Sequence, residues 1–290
     1  VGVVPPGVEF RQTCVAHVAT ILRIQKARMG AENSSVGSET TNVAAARRAL
    51  MEVLRAWIDL APQLEVASED ALHRARVMTR RTRAILWLIR PVLSRPVDEG
   101  ALRSLTRALG VLRDADVLAA LARSFDLSLA PPPPDSLDQA REILTREVAD
   151  GAAFEQVALA VADLPVDREA ISTIGRRFER EWRRVSRRAK AVKQNAPDRA
   201  LHRLRIRIKR VRYAASALEA SPEAIERFQS ALAAIQDRLG AYHDCGVLAS
   251  LVDPTLRLTK ALAKAKRRAI ESVAAWPHSE AKRLLRELRP

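Results

Sequence analysis

The sequence predicts an all-α protein, and three observations carry that prediction. Glycine is scarce, 10 in 290 residues, while Ala, Leu, Arg and Glu are abundant, a composition that favours helix along the whole chain. The 15 prolines fall between periodic segments, where a missing N–H ends one helix without disrupting another. Apolar residues recur at helical spacing, as in Ile171, Ile174, Phe178, Val185, Ala189 and Val192, the stripe by which a helix joins a bundle.

Residues 1–42 carry Pro5, Pro6, Gly7 and the polar stretch AENSSVGSETT, so they read as a partly flexible extension with at most one short helix near 14–28. The remaining elements follow from their punctuation. Pro62 closes a helix over about 43–64, and Pro91 and Pro96 separate the next, 69–93, from 99–126. The run Pro131–Pro134 precedes a helix over 136–164, and Pro165 and Pro197 bound 167–195. Pro222, Pro254 and Pro277 then delimit 198–220, 222–252 with a break expected near Gly240, 256–275, and 278–289.

With 48% hydrophobic residues the chain can fill one or two cores. No run of 18 apolar residues is present, so nothing is expected to span a bilayer. Cys14 and Cys245 are far apart with no CxxC, which excludes a disulfide scaffold and a thiolate-rich zinc site and suits the cytoplasm. The first 25 residues lack the pattern of a secretory signal. Against 34 Asp+Glu stand 49 Lys+Arg, a net charge of +15, which draws polyanions. Aromatic content is only 4%, and binders of single-stranded nucleic acid stack bases on aromatic side chains. The expected polyanion is therefore one without bases.

An internal repeat is the most informative feature. ALHRARVMTRRTRA (71–84) aligns without gaps on ALHRLRIRIKRVRY (200–213), and LGVLRDADVL (109–118) aligns on LGAYHDCGVL (239–248). Two blocks recurring in the same order mark a duplicated unit, one repeat over about 43–164 and the other over about 165–290. At 100° per residue, His73, Arg76, Arg80 and Arg83 fall within about 80° of one another. Leu72, Ala75, Thr79, Thr82 and Leu86 form the neighbouring core stripe. The second repeat places His202, Arg205, Lys209 and Arg212 beside Leu201, Leu204, Ile208 and Val211 in the same way.

Like charges at successive turns cost a few tenths of a kcal/mol per pair, so something anionic should offset the repulsion. The planar fork of arginine fits phosphate oxygens, which makes phosphate the leading candidate. Ahead of the second block, Arg176, Arg180, Arg183, Arg187 and Lys190 share a helix face. From Arg176 to Arg212 there are 16 Lys+Arg against Glu179, Glu181 and Asp198, close to the whole excess of the chain.

The block His-x-x-Arg-x-x-x-Arg/Lys-Arg-x-Arg, followed by Leu-Gly-x-x-x-Asp-x-x-Val-Leu and repeated, resembles the CHAD family, the conserved histidine α-helical domain. The resemblance covers about 43–290. It implies two tandem four-helix bundles related by a pseudo-two-fold, with a basic groove lined by both rows that binds inorganic polyphosphate without catalysis or cofactor, in the cytoplasm and at polyphosphate granules. The residues implicated are His73, Arg76, Arg80 and Arg83, then His202, Arg205, Lys209 and Arg212. Arg113, Arg180, Arg183 and Arg187 are further candidates, and Asp114, Asp244 and His243 are supporting residues. Two positions depart from the pattern: Gly246 stands opposite Asp116, and Thr82 replaces an apolar residue.

Bland readings stand beside these. His73 and His202 could be ordinary helix-start residues. Asp114 and Asp244 could be catalytic carboxylates, but an aspartate just after Leu-Gly is more often an N-cap or the orienting partner of an arginine. Trp57, Trp87, Trp182 and Trp276 are expected to fill cores. Two other functions compete. His243-Asp244 with His202 and Asp253 loosely resembles the ligand set of a metal-dependent phosphohydrolase, although no carboxylate-rich cluster offers to hold Mg²⁺. Weak, nonspecific binding to nucleic-acid backbone is the other.

Overall fold

The computed structural model describes residues 42–64, 68–162, 164 and 168–288. Among them are ten α-helices and no strand. In chain order they are α1 (Asn42–Leu60), α2 (Glu69–Ile89), α3 (Gly100–Ser124), α4 (Pro134–Asp150), α5 (Ala152–Ala162), α6 (Arg168–Lys190), α7 (Asp198–Ala214), α8 (Pro222–Leu251), α9 (Leu256–Ala274) and α10 (His278–Glu287). Short 3₁₀ turns extend α1, α2 and α7. The expected helix near 14–28 lies outside the described residues.

Local chemistry sets the boundaries. Ser68 caps α2 by accepting from the Ala71 N–H at 3.3 Å, Ser221 caps α8 through Ala224 at 3.3 Å, and Thr255 caps α9 through Leu258 at 3.2 Å. Each satisfies one of the backbone donors that a helix start leaves open.

Two expectations are corrected. The single helix over 136–164 is divided at Gly151, whose φ of 60° and ψ of −1° make it a left-handed C-cap with its N–H on the Glu147 carbonyl. The break near Gly240 is absent: α8 continues through it for 30 residues. A glycine costs an interior helix only about 1 kcal/mol, less than the packing of the buried face of α8 supplies. Asp114 and Asp244 consequently lie inside α3 and α8 and are not N-caps.

The described residues form two compact units, one of residues up to Arg113 with those of 133–174, and one of Asp114–Pro132 with those from Gly175 onward. Residues 114–132 thus belong to the first sequence repeat and to the second compact unit, with α3 running from one unit into the other. In the first unit α1 packs on α2 and α5, and Trp57 stacks on Phe154 at 4.1 Å between centroids. In the second, α8 packs against α7, α9 and α10. Phe228 receives Phe178 and Trp182 edge-on, and Trp182 stacks on Trp276. Leu248 and Leu258 close over Ala122 at the far end of the same unit. Trp87 is only half-buried, unlike the other three tryptophans, because its side of α2 is not fully covered. No helix among the described residues is long and apolar enough to cross a membrane.

Candidate functional site

The core stripe of α2 is buried as its periodicity requires: Leu72, Ala75, Thr79, Thr82 and Leu86 are all at or below 5% exposure. The two threonines are accommodated because their hydroxyls donate to carbonyls of their own helix, Thr79 to Arg76 at 3.2 Å and Thr82 to Met78 at 2.9 Å. Along the flank of that stripe His73 is exposed, and Arg76, Arg80 and Arg83 are half-buried. Helix α7 repeats the pattern, with Leu201, Leu204, Ile208 and Val211 buried, His202 exposed, and Arg205, Lys209 and Arg212 half-buried. Each row flanks the core-facing stripe of its helix, and the guanidinium Nε atoms of Arg76, Arg83 and Arg205 are themselves buried.

The rows differ in their partners. In the first unit Arg83 Nε stands 3.6 Å from Glu99, which also pairs with Arg90 and whose side chain is only 10% exposed. Arg113 pairs with Glu69 at the start of α2. In the second unit the Arg212 guanidinium lies over the Tyr213 ring at 4.9 Å. Arg205 packs beside Gly240, where an added Cβ would meet it at an ordinary 3.8 Å.

His202 and His243 bring α7 and α8 together, with ring centroids 4.9 Å apart. They border a cavity of about 470 Å³ that Arg199, Arg203 and Tyr242 also line. Burial, then the Arg205 and His202 charges, hold the His243 pKa below its usual value against the opposing pull of Asp244 and Asp114. The two aspartates therefore act electrostatically on His243. Asp198, at the head of α7, bonds Lys266 at 2.8 Å. That bond first, and a second from the Tyr242 hydroxyl, lower the Asp198 pKa, while burial and then Asp198 raise that of Tyr242. Burial, followed by Asp244, raises the thiol pKa of the free Cys245.

Arg180, Arg183 and Arg187 are placed elsewhere. They line a separate cavity of about 570 Å³ with Trp182, Lys190 and His278, and none of the α7 row borders it. On α6 they point away from Glu181, whose buried carboxylate takes Arg207 of α7 at 2.6 Å and Arg184 at 3.8 Å. Part of the basic charge of α6 and α7 therefore serves an internal ion pair.

The carboxylate partners are what sequence reasoning missed. Glu69 had a signal, since it occupies the position of Asp198 in the repeat alignment. Glu99 and Glu181 had none. For the hydrolase reading, Asp253 lies outside α8, past the extended C-cap Val252, while His243 and Asp244 lie within that helix. No three His, Cys, Asp or Glu side chains cluster for a metal among the described residues.

The family model described as the CHAD domain matches residues 48–253. Among solved structures the fold is similar to the crystal structure of the CHAD domain from the plant Ricinus communis, at 20% identity and a TM-score of 0.51, covering 88% of this chain and 94% of that one. No curated protein matches the sequence.

Proposed function

The chain belongs to the CHAD family, and from that premise we propose that it binds inorganic polyphosphate through the cation rows of α2 and α7 and catalyses no reaction. The observation that carries this reading is the repetition of one presentation. In both units an exposed histidine heads three half-buried cations beside a fully buried core stripe. A row held this way repeats its cations about once per helical turn, which suits a chain of evenly spaced monoanions. We read the two sequence repeats, about 43–164 and about 165–290, as tandem helical bundles that arose by duplication, the pseudo-two-fold being that of the repeats. The chain then works where polyphosphate accumulates, in the cytoplasm and at its granules.

Nucleic acid is the weaker competitor because the aromatics that stacking would need are spent inside: Trp57, Trp182 and Trp276 are buried. The test is a titration with long-chain polyphosphate at two salt concentrations, with duplex DNA added in excess. Retention of polyphosphate under DNA competition is the expected result. Complete displacement by DNA would replace this reading with nonspecific backbone binding.

A further inference from the structure

The outer face of α6 carries a feature the two rows do not use. Arg180, Arg183, Arg187 and Lys190 follow one another at steps of three, four and three, so they form a single exposed stripe about 15 Å long. Arg183 is shared with Glu179 at 2.7 Å. No carboxylate among the described residues lies within ion-pairing distance of Arg180, Arg187 or Lys190. A solvated helix of this kind ordinarily intersperses acidic residues at i,i+4, and here the only acidic residue on the stripe is Glu179 at its start.

The stripe also borders an open surface depression with a packed aromatic wall. Trp182 forms part of its wall and stacks on Trp276 at 5.2 Å and 17°. The Trp276 indole N–H donates to Ser186 at 3.0 Å, and the backbone N–H of His278 donates to the Trp276 carbonyl at 2.8 Å. Those contacts fix the floor from which the cations rise and place His278 at its rim. The open depression spans about 570 Å³, room for several phosphate groups.

We propose that this face of α6 is a second polyphosphate site, independent of the α7 row, so that one protein molecule holds two segments of polyphosphate and can cross-link chains. The geometry supports independence: the lining residues of this cavity include none of His202, Arg205, Lys209 or Arg212. On α6 the stripe is turned at least 100° away from Glu181, the residue that marks the side facing α7. Its ligand is an inorganic polyanion, since both tryptophans at the site are buried and offer no face to a base. The inference rests on the function proposed above, and its test separates the two.

The probe is inorganic tripolyphosphate, with stoichiometry counted by calorimetry for the wild type, for the R180Q/R187Q/K190Q variant and for the R205Q/K209Q/R212Q variant. The α6 variant is expected to bind one equivalent fewer than the wild type, with the melting temperature unchanged because all three side chains are exposed. In the α7 variant, tripolyphosphate is expected to protect Lys190 from amine acetylation. With long-chain polyphosphate, light scattering from cross-linked chains should be lost in the α6 variant. Wild-type stoichiometry in the α6 variant, or unprotected Lys190, overturns the second site alone. Absence of any binding by the wild type overturns the function proposal and this inference with it.

Discussion

His202 and His243 stand with ring centroids 4.9 Å apart and planes tilted by 46°. The equivalent positions of the first repeat are His73 and Arg113. There a permanent cation is neutralised by Glu69, while the counterpart of Glu69, Asp198, is drawn off to Lys266 and Tyr242. The same scaffold position therefore holds an ion pair in one unit and a pair of imidazoles in the other.

Proton linkage follows from that pair. The pKa of His243 lies below its usual value in the free protein, through burial first and the nearby Arg205 and His202 charges second. Phosphate bound beside it favours the protonated ring and so raises that pKa. Polyphosphate affinity is expected to increase as pH falls from about 8 to below about 6.5, the ordinary histidine value, and His243→Asn should flatten the profile. An identical pH dependence in wild type and variant would remove His243 from the site.

The same lowered pKa has the opposite effect on the unliganded fold. Because folding lowers the proton affinity of His243, its contribution is fully present above the unfolded value of about 6.5 and is lost as pH falls through the folded pKa. Wild type should lose more stability than His243→Gln between pH 8 and pH 5, measured by urea denaturation at each pH.

Within the first row, Arg83 should carry a structural cost of its own. Arg83 and Arg90 hold Glu99, whose side chain is nearly buried, so Arg83→Ala leaves that carboxylate one partner short, at about 1 kcal/mol. The melting temperature should fall for Arg83→Ala and stay level for a control, Lys264→Ala, at an exposed position of α9. Equal melting temperatures would mean that Arg90 suffices for Glu99.

Burial was legible in the sequence where periodicity decides it. Leu72, Ala75, Thr79 and Thr82 face the core because the α2 stripe leaves no other side for it, even though two of them are polar. Punctuation was less legible because glycine has two meanings. At Gly151 the backbone adopts a left-handed φ, and at Gly240 it continues the helix; nothing in the flanking residues distinguishes the cases. Ion pairs were the least legible. Arg207 and Glu181 are 26 residues apart and Arg113 and Glu69 are 44 apart, and no local spacing rule reaches that far. For the same reason the sequence grouped Arg180, Arg183 and Arg187 with the α7 row, and only the rotation of α6 about its axis separates them.

The two glycines make opposite predictions. Gly151→Ala places a Cβ on a left-handed residue and should destabilise by about 1 kcal/mol. Gly240→Ala adds a helix former to α8, where the new Cβ would meet only the Arg205 side chain at 3.8 Å, and should stabilise by up to about 1 kcal/mol. Chemical denaturation reads both, and a loss at Gly240 would show that the approach of Arg205 tolerates no Cβ.

Charge alone and a charged site differ in how they respond to where the charge is removed. Arg76→Gln with Arg80→Gln deletes two heads from the first row, and Arg205→Gln with Lys209→Gln does so in the second. Charge-assisted hydrogen bonds contribute roughly 1.5 to 3 kcal/mol each, so each pair should weaken polyphosphate binding by about 3 kcal/mol, a hundredfold or more. The control is Lys260, Lys264 and Arg267 changed to Gln, three exposed cations of α9. Their neighbour Lys266 is unsuitable because it holds Asp198. Each phosphate contact releases counterions, so the row variants should also show a shallower fall of affinity with salt, and the control should keep the wild-type slope. Equal losses and equal slopes across all three variants would assign binding to the net charge of +15, and the rows would then be solvated faces of their helices.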